Sequence, residues 1–339
     1  MIAASSSPLS LAHPDFRDER FAPMSDTWRA RRRRFALGLP TVLGAEPRGF
    51  FIPYRYAATL PDAASLPVYD AIESLFQSQR DAFARVLDDL GIYNAAFAAI
   101  VAESHANQAP GSQVIGAARF DQDWFPTLDA AIAYRMVRAL RPQRIVEIGS
   151  GHSTRFMARA IADGGLSTIL TAIDPAPRAA IASLAIEHVA DTVPPQRDGG
   201  DAVARFGVAR AIERLGAGDF LFIDSSHILM PGSDVDYLFN RVLPMLPAGA
   251  IVHVHDILLP DPYPDAWTWR GYNEQNALVP WLAGGAFRPL FASHFAATRM
   301  TGELARSAVA GLPTALGAIP ASLWLMRNGA RADLSAAVD

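Results

Sequence analysis

Short apolar runs alternate with amphipathic stretches from about residue 120 onward. Runs rich in Ile, Val, Leu and Phe predict strands at 144–148, 167–173, 220–223 and 250–254, a weaker third strand near 192–196, and two late strands near 287–298 and 321–327. Apolar positions at helical spacing predict helices at 153–163, 177–189 and 273–283. Apolar strands that are separated by helices predict an α/β fold whose parallel sheet is covered on both faces.

The first 115 residues have a different pattern. Residues 1–25 are rich in Ser, Pro and Ala and have no periodicity, which predicts a loose arm. Helical spacing predicts one helix over 71–90, which Gly91 would end, and another over 94–105. We therefore predict three parts: a mostly helical N-terminal accessory region, an α/β domain and a C-terminal tail, at 1–115, 116–330 and 331–339.

Composition narrows the classes of function. The chain has 339 residues, a formal net charge of −4 and no cysteine, and all 30 basic residues are arginine. This charge does not favour nucleic acid or an anionic membrane as a partner. The absence of Cys and Lys excludes thiolate and lysine-based chemistry. Because no basic leader precedes an apolar run at the N-terminus, we predict a cytoplasmic protein.

A glycine-rich turn follows the first predicted strand and precedes a helix. In Val146-Glu-Ile-Gly-Ser-Gly-His-Ser-Thr154, two glycines allow a ligand to approach the backbone closely. A dinucleotide-binding turn would have a third small residue where Thr154 stands. An acid, Glu147, lies two positions before the first glycine instead. The turn favours a cofactor site, and a purely structural turn is the alternative.

Two acids follow the neighbouring predicted strands. Asp174 ends the second strand, 25 residues after Gly149, where a carboxylate can accept both ribose hydroxyls of a nucleoside. The alternative is an N-cap for the helix predicted at 177–189. Asp201 follows the weak third strand in Asp198-Gly-Gly-Asp, and a plain turn explains it as well as a ligand contact does.

Histidines and aspartates follow the fourth and fifth predicted strands. Asp224 and His227 come after the fourth strand, and His255 and Asp256 end the fifth. Carboxyl ends of parallel strands meet at one edge of the sheet, where ligands of open α/β sheets bind. His253 and His255 share a sheet face because side chains alternate along a strand. One buried histidine is usually structural, but this group favours a site.

Aromatic residues cluster after the fifth strand, at Tyr263, Trp267, Trp269 and Tyr272. They predict a wall or lid for a planar acceptor. Packing against the N-terminal helices explains them equally well.

Taken together, the E-x-G-x-G turn, Asp174, Asp224-x-x-His227 and His255-Asp256 resemble class I S-adenosylmethionine-dependent methyltransferases. The histidine–aspartate pairs are similar to a bacterial branch of small-molecule O-methyltransferases related to the catechol and macrocin enzymes. The resemblance covers roughly residues 120–330. It implies a doubly wound, Rossmann-like, mostly parallel seven-stranded sheet with helices on both faces, in the order 3-2-1-4-5-7-6 with strand 7 antiparallel.

The resemblance also implies site residues. S-adenosylmethionine would be bound by Glu147, Gly149, Ser150, Gly151, Ser153, Thr154, Asp174, Asp201 and Asp224. Asp224, His227 and His255 would be catalytic, with the imidazoles as candidates for acid–base chemistry. Asp224 and Asp256 match acids that hold a divalent cation such as Mg²⁺ in metal-dependent relatives. The catechol-type pattern has Asn or Asp where this chain has Ile257, and it uses a lysine base.

We predict a methyltransferase that acts on a small-molecule acceptor, by O- rather than N-methylation, with a divalent metal as an open addition. We expect no nucleic-acid or membrane partner, and a homodimer stays open. One alternative is a nicotinamide oxidoreductase, against which Thr154 argues. The others are a catalytically silent S-adenosylmethionine-binding protein and a metal-dependent hydrolase or hydroxylase that uses the histidines and aspartates.

Overall fold

Seven strands form one sheet. The computed structural model describes residues 26–45, 49–50, 52–107, 117–177, 180–193 and 202–329. The strands are β1 (Arg144–Ile148), β2 (Ile169–Ile173), β3 (Glu187–Val189), β4 (Phe220–Ile223), β5 (Ile251–Val254), β6 (Phe287–Ala292) and β7 (Leu323–Arg327). Their order is β3-β2-β1-β4-β5-β7-β6, with β1 to β5 parallel and β7 antiparallel to both neighbours. The fold and strand order that the resemblance implied are confirmed.

Eleven α-helices lie within the described ranges. They are α1 (Asp26–Val42), α2 (Asp70–Ser78), α3 (Arg80–Asp89), α4 (Asn94–Asn107), α5 (Thr127–Leu140), α6 (His152–Asp163), α7 (Ala202–Glu213), α8 (Asp234–Tyr237), α9 (Glu274–Ala283), α10 (Ser293–Arg299) and α11 (Thr301–Arg306). Helices α6, α7, α8 and α9 follow strands β1, β3, β4 and β5 along the chain. None of the helices among the described residues has the length and apolar character needed to cross a membrane.

The region between β2 and β3 differs from the sequence prediction. The helix predicted at 177–189 is wrong, because residues 182–186 form turns and bends and β3 begins at Glu187. The strand predicted near 192–196 was also misplaced. β3 is an edge strand with exposed Glu187 and His188 side chains, so it lacks an apolar run. Residues 194–201 lie outside the described residues.

Two other boundaries differ. The helix predicted over 71–90 is two helices that meet at Gln79, and a 3₁₀ turn over Leu90–Tyr93 passes through Gly91 instead of stopping there. The strand predicted over 287–298 ends at Ala292, where α10 begins. Because β6 leads directly into a buried helix, apolar residues continue past Ala292 and the sequence shows no break at this boundary.

Helices α2 to α4 share a core with the sheet. The described residues up to Leu60 form one compact unit and those from Pro61 form another, so these helices lie in the unit that contains the sheet. Phe83 on α3 is fully buried, with its ring 5.6 Å from Phe291 on β6 and 6.1 Å from Phe295 on α10. The domain boundaries predicted near 115 and 330 stay predictions.

Asp129 on α5 fixes the chain beside the end of β5. Its carboxylate is fully buried and accepts backbone N–H groups from Ala321, at 2.9 Å, and Ser322, at 3.1 Å. A charged acceptor at two backbone donors holds this segment firmly as it enters β7.

Replacement of Phe83 tests whether the N-terminal helices are integral to the sheet unit. Phe83→Ala leaves a cavity among aromatic rings, and we expect the free energy of unfolding in urea to fall by about 3–5 kcal/mol. Ile92→Ala is the control, because Ile92 is 75% exposed and should change stability by less than about 0.5 kcal/mol. Equal effects of the two variants would contradict a shared core.

Candidate active site

The glycine turn between β1 and α6 rests on the end of β4. Gly149 has φ +80°, and a Cβ built on it would lie 1.9 Å from the carbonyl oxygen of Asp224. Only glycine fits there, both for conformation and for space. The Gly149 N–H donates to Ile173 O at 3.0 Å, and the Asp224 N–H donates to Ile148 O at 2.9 Å. The carboxyl ends of β1, β2 and β4 are thereby tied together.

Glu147 holds the turn from the buried side. Its carboxyl is fully buried and accepts from the Ser153 and Thr154 hydroxyls, each at 2.6 Å. Thr154 Oγ1 in turn accepts the Gly151 N–H at 2.8 Å. Burial raises the pKa of Glu147 to about 8, against the opposing effect of the two hydroxyl donors. These three side chains face the underside of the turn and leave its open side to Ser150 and Gly151.

Asp174 lies across the turn from β1. Its Oδ2 accepts both the N–H and the hydroxyl of Ser150, at 2.8 and 2.9 Å, and its Oδ1 accepts the Ala176 N–H at 2.8 Å. No helix starts near Pro177 in the part of the chain that the structure describes, so the N-cap interpretation loses its basis. Asp201 lies outside the described residues.

A half-open cavity of about 330 Å³ follows Asp174 along the chain, with a lining that begins at Pro177. Its lining is mainly apolar and comes from the chain between β2 and the end of β3, including Ile181, Leu184 and Ile186. His188 closes one side, with its Nε2 2.8 Å from the carbonyl oxygen of Asp174. The apolar residues that suggested a helix there line this cavity instead.

The four residues at the ends of β4 and β5 come together in one cluster. His227 Nε2 lies 3.4 Å from both Asp224 Oδ1 and Asp256 Oδ2. His255 Nδ1 lies 3.5 Å from Asp256 Oδ1 and 3.8 Å from Asp224 Oδ1. Both imidazoles are buried, whereas the Asp224 side chain is 33% exposed. The cluster therefore reaches solvent through Asp224.

Two buried acids that the sequence analysis missed stand behind the imidazoles. Glu274, at the start of α9, is hydrogen-bonded through Oε1 to His227 Nδ1. Asp129 Oδ2 lies 3.5 Å from His255 Nε2. Both acids are fully buried. An acid within an otherwise buried helical stretch was the available signal, because charged side chains are seldom buried without a partner.

The acids determine the charge of the imidazoles. Burial lowers the pKa of His227, but the carboxylates of Glu274 and Asp256 outweigh it and hold that pKa well above its ordinary value. Burial also lowers the pKa of His255. The carboxylates of Asp224 and Asp129 outweigh this effect and raise that pKa to about 9. Both rings are therefore imidazolium near neutral pH, and each must lose its proton before it can act as a base.

His253 has a different environment. Its ring is fully buried and stacks on Phe222 with 3.6 Å between centroids, and its Nε2 lies 2.8 Å from Ser322 Oγ. Burial and the neighbouring His255 hold the pKa of His253 well below its ordinary value. It shares a sheet face with His255, as strand alternation predicted, and serves as a neutral packing residue.

Backbone strain is concentrated at this cluster. His227 and Asp256 have φ +63° and +56°, in the left-handed region that side chains with a Cβ adopt at a cost. Arg141 is the remaining non-glycine residue with positive φ among those described. Strained conformations that persist next to clustered charges indicate a functional site.

The aromatic segment after β5 covers one side of the cluster. The Tyr272 ring is 4.5 Å from the His227 ring, and the Tyr263 hydroxyl donates to the Asp256 carbonyl at 3.0 Å. The Arg270 guanidinium lies 4.2 Å above the Trp267 ring and 3.6 Å from Asp256 Oδ2. The same segment also contacts the 3₁₀ turn at Ala63–Ser65. A wall for a planar acceptor stays a prediction.

The donor arrangement does not fit a metal centre. No set of three or more His, Asp or Glu side chains among the described residues is grouped so that it could hold a metal ion. The His227 ring occupies the space between Asp224 and Asp256 and supplies their positive counter-charge. The predicted metal pair is therefore bridged by an imidazolium in this structure.

One segment of the chain is similar to a known family of domains. Residues 146–257 match a family model described as a methyltransferase domain. The matched segment contains the glycine turn, Asp174 and the β4–β5 cluster. The match spans less than half of the chain, so it shows that this segment is similar to a methyltransferase domain. The observed strand order is the one that the resemblance to class I S-adenosylmethionine-dependent methyltransferases implied. A comparison with curated proteins gives no match.

The similar solved structures are distant in sequence. Podospora anserina methyltransferase PaMTH1, bound to SAH, is 14% identical, with 83% of this chain and 100% of that chain covered and a TM-score of 0.35. The O-methyltransferase TomG from Streptomyces achromogenes, in complex with SAM, is 17% identical, with coverage of 59% and 79% and a TM-score of 0.30. The cmcI-D160 Mg-SAM structure is 14% identical, with 67% and 84% covered and a TM-score of 0.34.

Two substitutions at Asp256 isolate the backbone strain. Asp256→Ala and Asp256→Gly both remove the carboxylate and differ only in Cβ. At φ +56° a Cβ costs about 1–2 kcal/mol, so we expect the glycine variant to be the more stable in urea unfolding by about 1 kcal/mol. At an ordinary position alanine would be favoured over glycine by about 0.5–1 kcal/mol. A more stable alanine variant would rule out the left-handed conformation.

Glu147 should make stability depend on pH. Its pKa near 8 in the folded protein exceeds the unfolded value of about 4.5, so the folded state binds the proton more tightly. Wild type should therefore lose about 1 kcal/mol per pH unit relative to Glu147→Gln as pH rises from 5 to 8. Urea unfolding across this range measures the difference, with the exposed Glu213→Gln as control. A pH-independent difference would show that Glu147 is ionised throughout.

Proposed function

We propose that the protein transfers the methyl group of S-adenosylmethionine to a hydroxyl oxygen of a small-molecule acceptor. The contact between Gly149 and the Asp224 carbonyl carries this proposal, because it sets the cofactor turn directly against the acid–imidazole cluster. A cofactor on the turn would present its sulfonium beside Asp224 and His227. Donor and acceptor would then meet at the junction of β1 and β4.

Some of the predicted cofactor residues would touch S-adenosylmethionine, and others would hold the glycine turn in place. Gly151 faces open space, with no heavy atom within 4 Å of the position of a Cβ, so its backbone can lie against the ligand. Asp174 would accept the ribose hydroxyls in exchange for its contact with Ser150, and the cavity that follows it along the chain would take the adenine ring. Glu147, Ser153 and Thr154 would act indirectly by holding the turn. That Asp201 binds S-adenosylmethionine stays a prediction.

The acid–imidazole cluster would orient the hydroxyl group of the acceptor, and its carboxylates would receive the proton of that hydroxyl. Methyl transfer from a sulfonium requires an in-line nucleophile, so the protein contributes mainly orientation. Asp224 is the exposed carboxylate of the cluster and the first group that an acceptor hydroxyl would meet. His227 and His255, as imidazolium ions, would hold Asp224 in place and balance its charge. Tyr263, Trp267 and Tyr272 would form a wall for a planar acceptor.

The methyl transfer proposed here needs no metal ion, and metal assistance is a separate proposal. Asp224 and Asp256 could bind a divalent cation only if the His227 ring moved from between them. We therefore expect Mg²⁺ to change cofactor binding little. A large Mg²⁺ effect would favour the metal-assisted form.

Calorimetry with S-adenosylmethionine and S-adenosylhomocysteine tests the cofactor assignment. We expect micromolar binding to wild type and a loss of at least about tenfold in Asp174→Ala, because hydrogen bonds to a charged acceptor contribute about 1.5–3 kcal/mol. Asp89→Ala, which removes a half-exposed acid on α3, is the control and should bind like wild type. Absence of binding to wild type would overturn the proposal, and equal binding to Asp174→Ala would overturn the ribose role.

A further inference from the structure

Glu274 is a buried acid with an unusual set of neighbours. Its side chain is fully buried at the first residue of α9, where Oε1 is hydrogen-bonded to His227 Nδ1. Its Oε2 has no hydrogen-bond partner among the described residues. Burying a carboxylate is costly unless it is paired, so the contact with His227 is what offsets the burial of Glu274.

That contact determines the direction of the His227 ring. With Nδ1 directed at Glu274, the other nitrogen, Nε2, points between Asp224 and Asp256 at 3.4 Å from each. A histidine nitrogen that donates to a carboxylate fixes the orientation of the ring. The left-handed backbone at His227 turns the side chain inward, and the hydrogen bond to Glu274 helps to retain this conformation.

The chain around Glu274 is also joined to the loop that carries His227. The Asn273 N–H donates to the His227 carbonyl at 3.1 Å, and the Leu229 N–H donates to Asn273 Oδ1 at 2.6 Å. These contacts bring the start of α9 to the β4 loop. The approach of Glu274 to His227 is therefore built into the backbone and not only into side-chain rotamers.

Asp129 behind His255 provides a contrast. Asp129 accepts hydrogen bonds from two backbone N–H groups, those of Ala321 and Ser322. It therefore stabilises the backbone as well as contacting His255. Glu274 accepts from no backbone donor in the part of the chain that the structure describes. Of the two buried acids, Glu274 is the one dedicated to an imidazole.

We propose that Glu274 is a positioning residue of the acceptor site: it holds His227 with Nε2 aimed between Asp224 and Asp256. The two aspartates repel each other, and the His227 Nε2–H group placed between them keeps both carboxylates at the junction with the cofactor turn. The assignment of this cluster to the acceptor rests on the proposed function, whereas the orientation of His227 does not.

Imidazole ¹⁵N NMR of the cofactor-free protein tests the orientation. The Nδ1–H signal of His227 is assigned by its absence in His227→Asn, since Asn tolerates the left-handed backbone. We expect wild type to show a hydrogen-bonded Nδ1–H group that is protected from solvent exchange. Glu274→Leu should lose this signal. Glu274→Gln should restore it, because the amide oxygen still accepts from Nδ1 although the charge is gone.

Gln275→Leu is the matched control. Gln275 is the next residue on α9 and is equally buried, but it accepts from the Leu258 N–H and donates to the Asp261 carbonyl, not to His227. Its replacement should lower stability while leaving the His227 signal unchanged. A His227 signal that persists in Glu274→Leu, or disappears equally in Gln275→Leu, would overturn the positioning role. Calorimetry with S-adenosylmethionine decides the proposed function independently, so the two failures are distinguishable.

Discussion

The absence of a side chain at Gly149 is the constraint on which the site depends. Because the turn after β1 lies directly on the Asp224 carbonyl, the glycine turn and the acid–imidazole cluster are parts of one junction. Pairing of β1 with both β2 and β4 places Asp174 and Asp224 on either side of this turn. A methyl donor on one side and an acceptor on the other would need no closure of separate domains to meet.

The charges at this junction are balanced internally. Four acids, Asp129, Asp224, Asp256 and Glu274, surround two imidazoles, and the protonated rings reduce the repulsion among the carboxylates. The backbone at His227 and Asp256 is strained to bring these groups together. The folded protein thus carries desolvation and conformational costs at one edge of the sheet, which the large apolar core beneath it offsets.

The sequence predicts the parts of the molecule that local pattern controls. The central strands are apolar on both faces, so their continuous apolar runs identify them, and parallel topology then brings their terminal residues to one edge. β3 escapes prediction because it is exposed at the sheet edge. The helix predicted at 177–189 is wrong because this segment forms turns and bends, and its apolar residues Ile181, Leu184 and Ile186 line a cavity. The sequence does not predict the roles of Glu274 and Asp129, because helix packing brings them behind the two histidines and local spacing does not encode that packing.

A crystal structure of the complex with S-adenosylhomocysteine would show whether the methyl donor lies at the junction of β1 and β4. We expect the ribose hydroxyls on Asp174, the adenine ring in the cavity lined by Leu184, and the sulfur over the Gly149 turn facing Asp224. A ligand bound elsewhere, or a sulfur that points away from Asp224 and His227, would contradict a shared junction for methyl donor and acceptor.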